Sequence, residues 1–132
     1  MRKKLATSLL LCCIISLMAF KSPDLFKDIT TAIKIGNATA LSGMFSERIE
    51  LRVEDKEDIY SKAQAGIMVK QFFSAHPPQD FEIIHTGSSE ETAHYAIGLL
   101  QTQDELSFRV YIFIKKTDKQ TQIQELKFEQ TD

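Results

Sequence analysis

Residues 106–115 read Leu-Ser-Phe-Arg-Val-Tyr-Ile-Phe-Ile-Lys. In an extended chain successive side chains point to opposite faces. One face then takes Phe108, Val110, Ile112 and Ile114, and the other takes Arg109, Tyr111 and Phe113. A strand that is apolar on both faces lies inside a sheet and is covered on both sides. This stretch therefore predicts a central strand with a core on one side and a second cover on the other.

The neighbouring segments extend the pattern. Turn-like residues Gln103-Asp104-Glu105 and Thr117-Asp118-Lys119-Gln120 flank the central strand. Beyond them, 94–101 and 122–129 read as strands, and Gly87-Ser88-Ser89-Glu90 separates 94–101 from a further strand at 81–86. Four strands in sequential hairpins make an antiparallel meander. Upstream, 61–73 reads as a helix capped by Ser61, with Gln64 at the capping-box position and Ala65, Met68, Val69, Phe72 and Phe73 as its apolar stripe. Pro77-Pro78 ends it. In 48–54, Ile49, Leu51 and Val53 alternate with Arg48, Glu50, Arg52 and Glu54, which predicts a half-buried strand. The charged run 55–58 reads as a solvated connection, not a calcium loop, since it includes Lys56.

Two helices come first. Leu25, Phe26, Ile29, Ala32 and Ile33 recur at helical spacing, with Ser22 and Asp24 as caps around Pro23. Gly36-Asn37, both tolerant of the left-handed conformation, stop this helix. Residues 38–45 predict a second, short helix that buries Ala40, Leu41, Met44 and Phe45. The order is α-α-β-α-β-β-β-β. The fold class is α+β, with three N-terminal helices packed on a curved, mostly antiparallel sheet that forms a cone open at one end. Gly98, in mid-strand, is the expected place for the bend or bulge.

Composition fits one domain. The chain has 132 residues, 43% of them hydrophobic and 26% charged, which excludes disorder and leaves no room for a second folded unit. Arg2, Lys3 and Lys4 precede an apolar run from Leu5 to Phe20, the layout of a secretory signal peptide. The run is slightly short for a membrane span, which takes about 20 residues. Residues 1–20 are thus read as a leader, and 21–132 as a single exported domain, periplasmic or extracellular. The alternative is an uncleaved N-terminal membrane anchor. Cys12 and Cys13 both lie in the leader, so the mature chain has no disulfide and no thiolate chemistry. Loss of the leader removes three of 16 basic residues and none of 18 acidic ones, moving the formal net charge from −2 to about −5. That disfavours nucleic acid and anionic membrane as partners.

A resemblance adds to this reading. Gly36-Asn37-Ala38, Tyr60-Ser61-Lys62-Ala63-Gln64-Ala65, Phe72-Phe73, Phe81 with His85-Thr86-Gly87, Tyr95-Ala96-Ile97-Gly98, Arg109-Val110-Tyr111, and Ile123 with Glu125-Leu126 follow one another in order across nearly the whole mature chain. In this it resembles a family of small exported bacterial proteins, mostly from Bacteroidota, known only as a domain of unknown function. The element order is similar to the nuclear-transport-factor-2-like (cystatin-like) fold. The resemblance implies the cone and no catalytic residues. Within that wider fold some members are isomerases, dehydratases or cyclases and others only bind or dimerise, so the fold does not choose between them.

The candidate residues follow from the strand patterns. His85 shares a strand face with Phe81 and Ile83 and is expected to point into the cone, as a weak candidate for general acid or base. A symmetric hairpin places His94 nearly opposite His85, where two imidazoles share a proton or bind a metal, with Glu90 or Glu91 as a poor third ligand. The plainer reading is a pair of histidines satisfied by backbone near a turn, with no metal and no cofactor. Tyr60 and Gln64, at the entrance to the third helix, are explained by packing and capping, with Tyr60 also a weak ligand contact. Arg109 is either an anion-binding group or half of a cross-strand ion pair with Glu125. Tyr95, Ile97, Tyr111 and Phe113 form the second apolar face, and a second copy of the same sheet is the simplest cover, making a homodimer. The favoured function is a non-enzymatic exported module that binds a small apolar ligand or a protein partner. The alternative is an isomerase- or dehydratase-like enzyme with a histidine in the cone.

Overall fold

The computed structural model describes residues 24–131. The expected leader, its two cysteines, and Ser22 and Pro23 lie outside the described residues. Helix α1 (Lys27–Ile35) starts after Asp24, whose Oδ1 accepts the Phe26 N–H at 2.9 Å. It buries Ile29, Ala32 and Ile33 and stops at Gly36, which is left-handed at φ 71°. Asn37 is not left-handed. Instead its side chain caps the next helix, accepting the Ala40 N–H at 3.0 Å. Helix α2 (Ala38–Gly43) is shorter than expected and buries Leu41, while Ala40 faces solvent. Phe45 leaves it to begin strand β1 (Phe45–Val53).

One strand joins the expected order. The charged run after β1 turns at Glu54 and Asp55 and returns as β2 (Lys56–Ser61), antiparallel to β1 from Val53↔Lys56 to Arg48↔Ser61. Its sequence, Lys-Glu-Asp-Ile-Tyr-Ser, has no apolar alternation because most of its side chains face water. Ser61 then caps helix α3 (Lys62–Ala75), accepting the Gln64 N–H at 3.2 Å, and Ala65, Val69, Phe72 and Phe73 of the expected stripe are buried. The meander follows as β3 (Pro78–Glu90), β4 (Ala93–Thr102), β5 (Ser107–Lys116) and β6 (Thr121–Thr131).

The six strands lie in the order β2-β1-β6-β5-β4-β3, with β1 parallel to β6 and all other pairs antiparallel. The central-strand expectation for 106–115 holds, since β5 sits between β6 and β4. The expected turn at 87–90 is strand, and the chain reverses at Glu91-Thr92. The pairing of β3 with β4 slips three times, leaving Gln79, Ile84 and Ser89 as extra residues on β3. The bend is therefore carried by β3 and not by Gly98 on β4. Gly98 lies opposite Ile83, and a methyl group there would come within 2.5 Å of the Phe81 ring. Its bareness makes room for that ring.

The helices cover the concave side of the sheet. There Phe45, Ile49, Leu51, Leu100, Phe108, Ile112, Ile114, Ile123 and Phe128 are fully buried. Phe72 of α3 sits among them, with its ring centroid 4.7 Å from Phe128 and 5.0 Å from Phe108. A filled aromatic interior therefore occupies the cone.

Candidate functional site

The registers lay out the convex face of the sheet in rows. One row runs Gly87, Tyr95, Phe113, Glu125, Glu50, Ile59 across β3, β4, β5, β6, β1 and β2. The next runs His85, Ile97, Tyr111, Lys127, Arg52, Glu57. A third takes Glu82, Leu99, Arg109 and Glu129. The convex face thus divides into an aromatic and aliphatic half on β4 and β5 and a charged half on β6, β1 and β2. Tyr95, Ile97, Tyr111 and Phe113 come together as expected, all half-buried, with Leu99 beside them. Tyr95 and Tyr111 stack with centroids 6.3 Å apart. The Tyr95 ring lies over Gly87, where a methyl group would approach it to 2.5 Å.

The histidines do not meet. The extra residue Ile84 shifts β3 by one position, so His85 lies across from Ile97 on the convex face, exposed. A one-residue slip turns every later side chain to the opposite face, which is why His85 does not follow Phe81 and Ile83 into the cone. Its Nε2 sits 3.1 Å from the Tyr95 hydroxyl. His94 pairs with Ser88 and Ile114, on the concave side at the rim, with Ser88 Oγ 2.8 Å from its Nδ1. Tyr60 lies on β2, half-buried against the core, at the edge of the sheet opposite to β3. Tyr60 thus stands five strands from His85 and four from His94 along the sheet, and the two histidines point to opposite faces. Glu90 and Glu91 are exposed, and among the described residues no cluster of three metal-binding side chains forms.

The charged half is an ion-pair network with one imbalance. Lys127 Nζ lies 2.9 Å from Glu57 and 3.9 Å from Glu50, and Arg52 reaches Glu129 at 3.2 Å and Glu57 at 3.6 Å. A mutual hydrogen bond holds the Glu57 carboxyl below its ordinary range and the Lys127 ammonium above its own. Glu125 is left beside Glu50. A hydrogen bond with Glu50, half-burial and the negative charge of Glu50 lift its carboxyl to about 7, against the pull of Lys127. Burial, and then the nearby Glu125, raise the Tyr111 phenol, which stays neutral. The expected ion pair between Arg109 and Glu125 does not form. Glu125 is opposite Phe113, while Arg109 is opposite Glu129, whose carboxylate turns to Arg52. Among the described residues Arg109 is exposed and makes no ion pair.

His76, which follows α3, was not singled out by the sequence patterns. Its Nδ1 lies 2.7 Å from Asp104 in the β4–β5 turn and its Nε2 3.0 Å from Glu54 in the β1–β2 turn. The ring also packs on Phe72 and Phe108, and its side chain is 17% exposed. Two carboxylates on opposite ring nitrogens call for an imidazolium that donates to both. Burial opposes that charge, but the hydrogen bonds to Asp104 and Glu54 outweigh it and raise the His76 pKa. Thr102, and then His76, donate to Asp104 and hold its carboxyl low. With both nitrogens engaged, the ring acts as a clasp across the cone mouth and has no nitrogen left for a substrate. Its partners are 22 and 28 residues away in sequence, so only the tertiary fold reveals it.

One hollow of about 280 Å³ lies beside the His76 clasp, lined by Val53, Glu54, Met68, Phe72 and His76, and takes in none of the expected site residues. The largest, about 600 Å³, is an open groove between α2 and α3 lined by Ala38, Ser42, Gly43, Lys62, Gly66 and Lys70, apart from every expected site residue. Another of about 280 Å³ lies on the convex face over Ile97, Arg109, Tyr111, Lys127 and Glu129.

Comparison with known proteins agrees with this architecture. A crystal structure of a DUF4783 family protein from Bacteroides uniformis superposes with a TM-score of 0.75 at 26% identity, covering 83% of this chain and 99% of that one. A protein of unknown function with a cystatin-like fold from Nostoc punctiforme matches at TM-score 0.64 and 12% identity, over 82% of this chain and 74% of that one. An NTF2-like protein of unknown function from Shewanella baltica matches at TM-score 0.62 and 12% identity, over 82% and 89%. These last two show the fold alone. No curated protein matches. The fold is thus the α+β, nuclear-transport-factor-2-like architecture expected from the element order. The family model for DUF4783, a domain of unknown function, matches residues 26–129, and the chain belongs to that family.

Proposed function

We propose that this protein is an exported, non-enzymatic binding module that works through the convex face of its sheet, with a second copy of the chain as the occupant. The observation that carries the reading is the contrast between the two sides of β5. Phe108, Val110, Ile112 and Ile114 are fully buried under the helices, while Tyr111 and Phe113 lie half-buried with Tyr95 and Ile97 on a surface that no element of the described residues covers. A contiguous apolar patch bordered by charge is the usual anatomy of an interaction site. Export rests on Arg2, Lys3 and Lys4 ahead of the apolar run to Phe20, and on a mature chain without cysteine.

Sedimentation velocity of the mature chain, with native mass spectrometry, tests the reading. The expected result is a dimer at micromolar concentration that Ile97→Asp converts to monomer. A monomer at high micromolar concentration, or a co-purifying small molecule whose binding Ile97→Asp leaves intact, overturns it.

A further inference from the structure

We propose that the dimer is fixed by reciprocal ion pairs, Arg109 of each subunit docking on Glu125 of the other. The proposal rests on the dimer reading above and specifies how the two convex faces are oriented. Arg109 and Glu125 lie on adjacent strands of one face, Arg109 in the row of Leu99 and Glu129, Glu125 in the row of Tyr95 and Phe113. They stand two rows apart and on opposite sides of the Tyr111–Lys127 row. Two-fold symmetry makes a contact between residues i and j occur twice, i to j and j to i. When two such faces pack together, an axis in the interface, roughly across the strands through the Tyr111–Lys127 row, lays each Arg109 over the other subunit's Glu125. The same operation brings Tyr111 close to its own copy and sets Phe113 over the aliphatic pair Ile97 and Leu99 of the second chain.

Charge complementarity selects this orientation. On the convex face Arg52 has Glu57 and Glu129 within reach, and Lys127 has Glu57 and Glu50, while Arg48 stands unpaired farther along β1 among the described residues. Arg109 also has none among the described residues, and it alone of the two borders the apolar patch, beside Leu99, Ile97 and Tyr111. The Glu50–Glu125 pair has the converse imbalance, two carboxyl groups side by side with one ammonium, that of Lys127, at 3.9 Å from Glu50. A guanidinium brought over Glu125 from outside corrects both, and a planar fork suits a carboxylate better than an ammonium does. The hollow beside Arg109, over Ile97 and Tyr111, gives an incoming side chain a place to seat.

Charge reversal tests it. Arg109→Glu and Glu125→Arg are each expected to weaken the dimer at least about tenfold, and the milder Arg109→Gln to weaken it less. An equimolar mixture of Arg109→Glu with Glu125→Arg is expected to restore dimers, and native mass spectrometry is expected to find them hetero. In that heterodimer both pairs are again of opposite sign, and an effect within one subunit cannot be rescued by mixing. Wild type that dimerises while Arg109→Glu and Arg109→Gln dimerise equally well overturns the pairing and leaves the dimer reading standing. Weakened single variants that mixing does not rescue overturn it too. A monomeric wild type overturns both.

Discussion

The two sides of this one sheet obey different rules. On the concave side, β5 contributes four residues that touch no water, and α3 adds Phe72 against Phe108 and Phe128. On the convex side the same strand contributes Arg109, Tyr111 and Phe113, each partly in water and each beside residues of β4 and β6. The period-2 alternation of one strand serves both. What differs is the cover: among the described residues, three helices lie on one side and nothing lies on the other. A fold that fills its own cone with phenylalanine has placed its unsatisfied surface outside.

Truncation breaks this contrast most directly. Phe72→Ala should cost about 3–5 kcal/mol of unfolding free energy, because four ring contacts and a large buried side chain are lost. Ile97→Ala, on the open side, should cost the isolated subunit about 1 kcal/mol or less. Urea unfolding at low protein concentration measures both. Equal costs would mean that the cone is not the filled side.

The clasp across the cone mouth gives the next largest effect. The folded His76 pKa is above its unfolded value of 6.5. Its contribution is therefore fully present below pH 6.5 and is lost as pH rises through the raised folded value. At the acid end Asp104, held low, contributes above its unfolded 3.8 and fails as pH falls below that. Wild type should lose stability relative to His76→Gln as pH rises above 6.5, by roughly 1 kcal/mol or less given the exposed partners. Parallel pH curves for the two proteins would remove the imidazolium from this role.

The convex face yields the smallest effect. Glu125 is raised from 4.5 to about 7, so the folded subunit holds a proton that the unfolded chain has given up. That stabilisation is present below pH 4.5 and is lost as pH rises through about 7. Glu125→Gln should therefore raise the stability of the isolated subunit at about pH 8, by under about 1 kcal/mol, and change little at about pH 4. The measurement belongs at concentrations too low for association, since Glu125→Gln also removes the partner for Arg109.

The sequence made the periodic elements legible and hid those that depend on register. The apolar alternation in β5 and the stripe on α3 announced themselves, because burial imposes a period that a single chain displays. Strand β2 did not, because it lies at an edge and carries Lys56, Glu57 and Asp58 to solvent. The interface residues Tyr95, Ile97, Tyr111 and Phe113 were readable for the same reason as β5. His85 was misplaced by a single extra residue, Ile84, which no local pattern marks. His76 was passed over because its meaning comes from two distant turns, where Glu54 and Glu105 hold left-handed conformations at φ 58° and 65°.

The slipped register of β3 has one more consequence. An outermost strand offers unpaired amides and carbonyls to any other chain, and straight ones invite end-to-end polymerisation. Here Gln79, Ile84 and Ser89 each interrupt the ladder, and Pro78 at the start of the strand offers no amide hydrogen. The opposite border is short and dense in charge. Sheet-by-sheet growth into fibrils is thereby discouraged at both borders, and association is left to the broad outer surface.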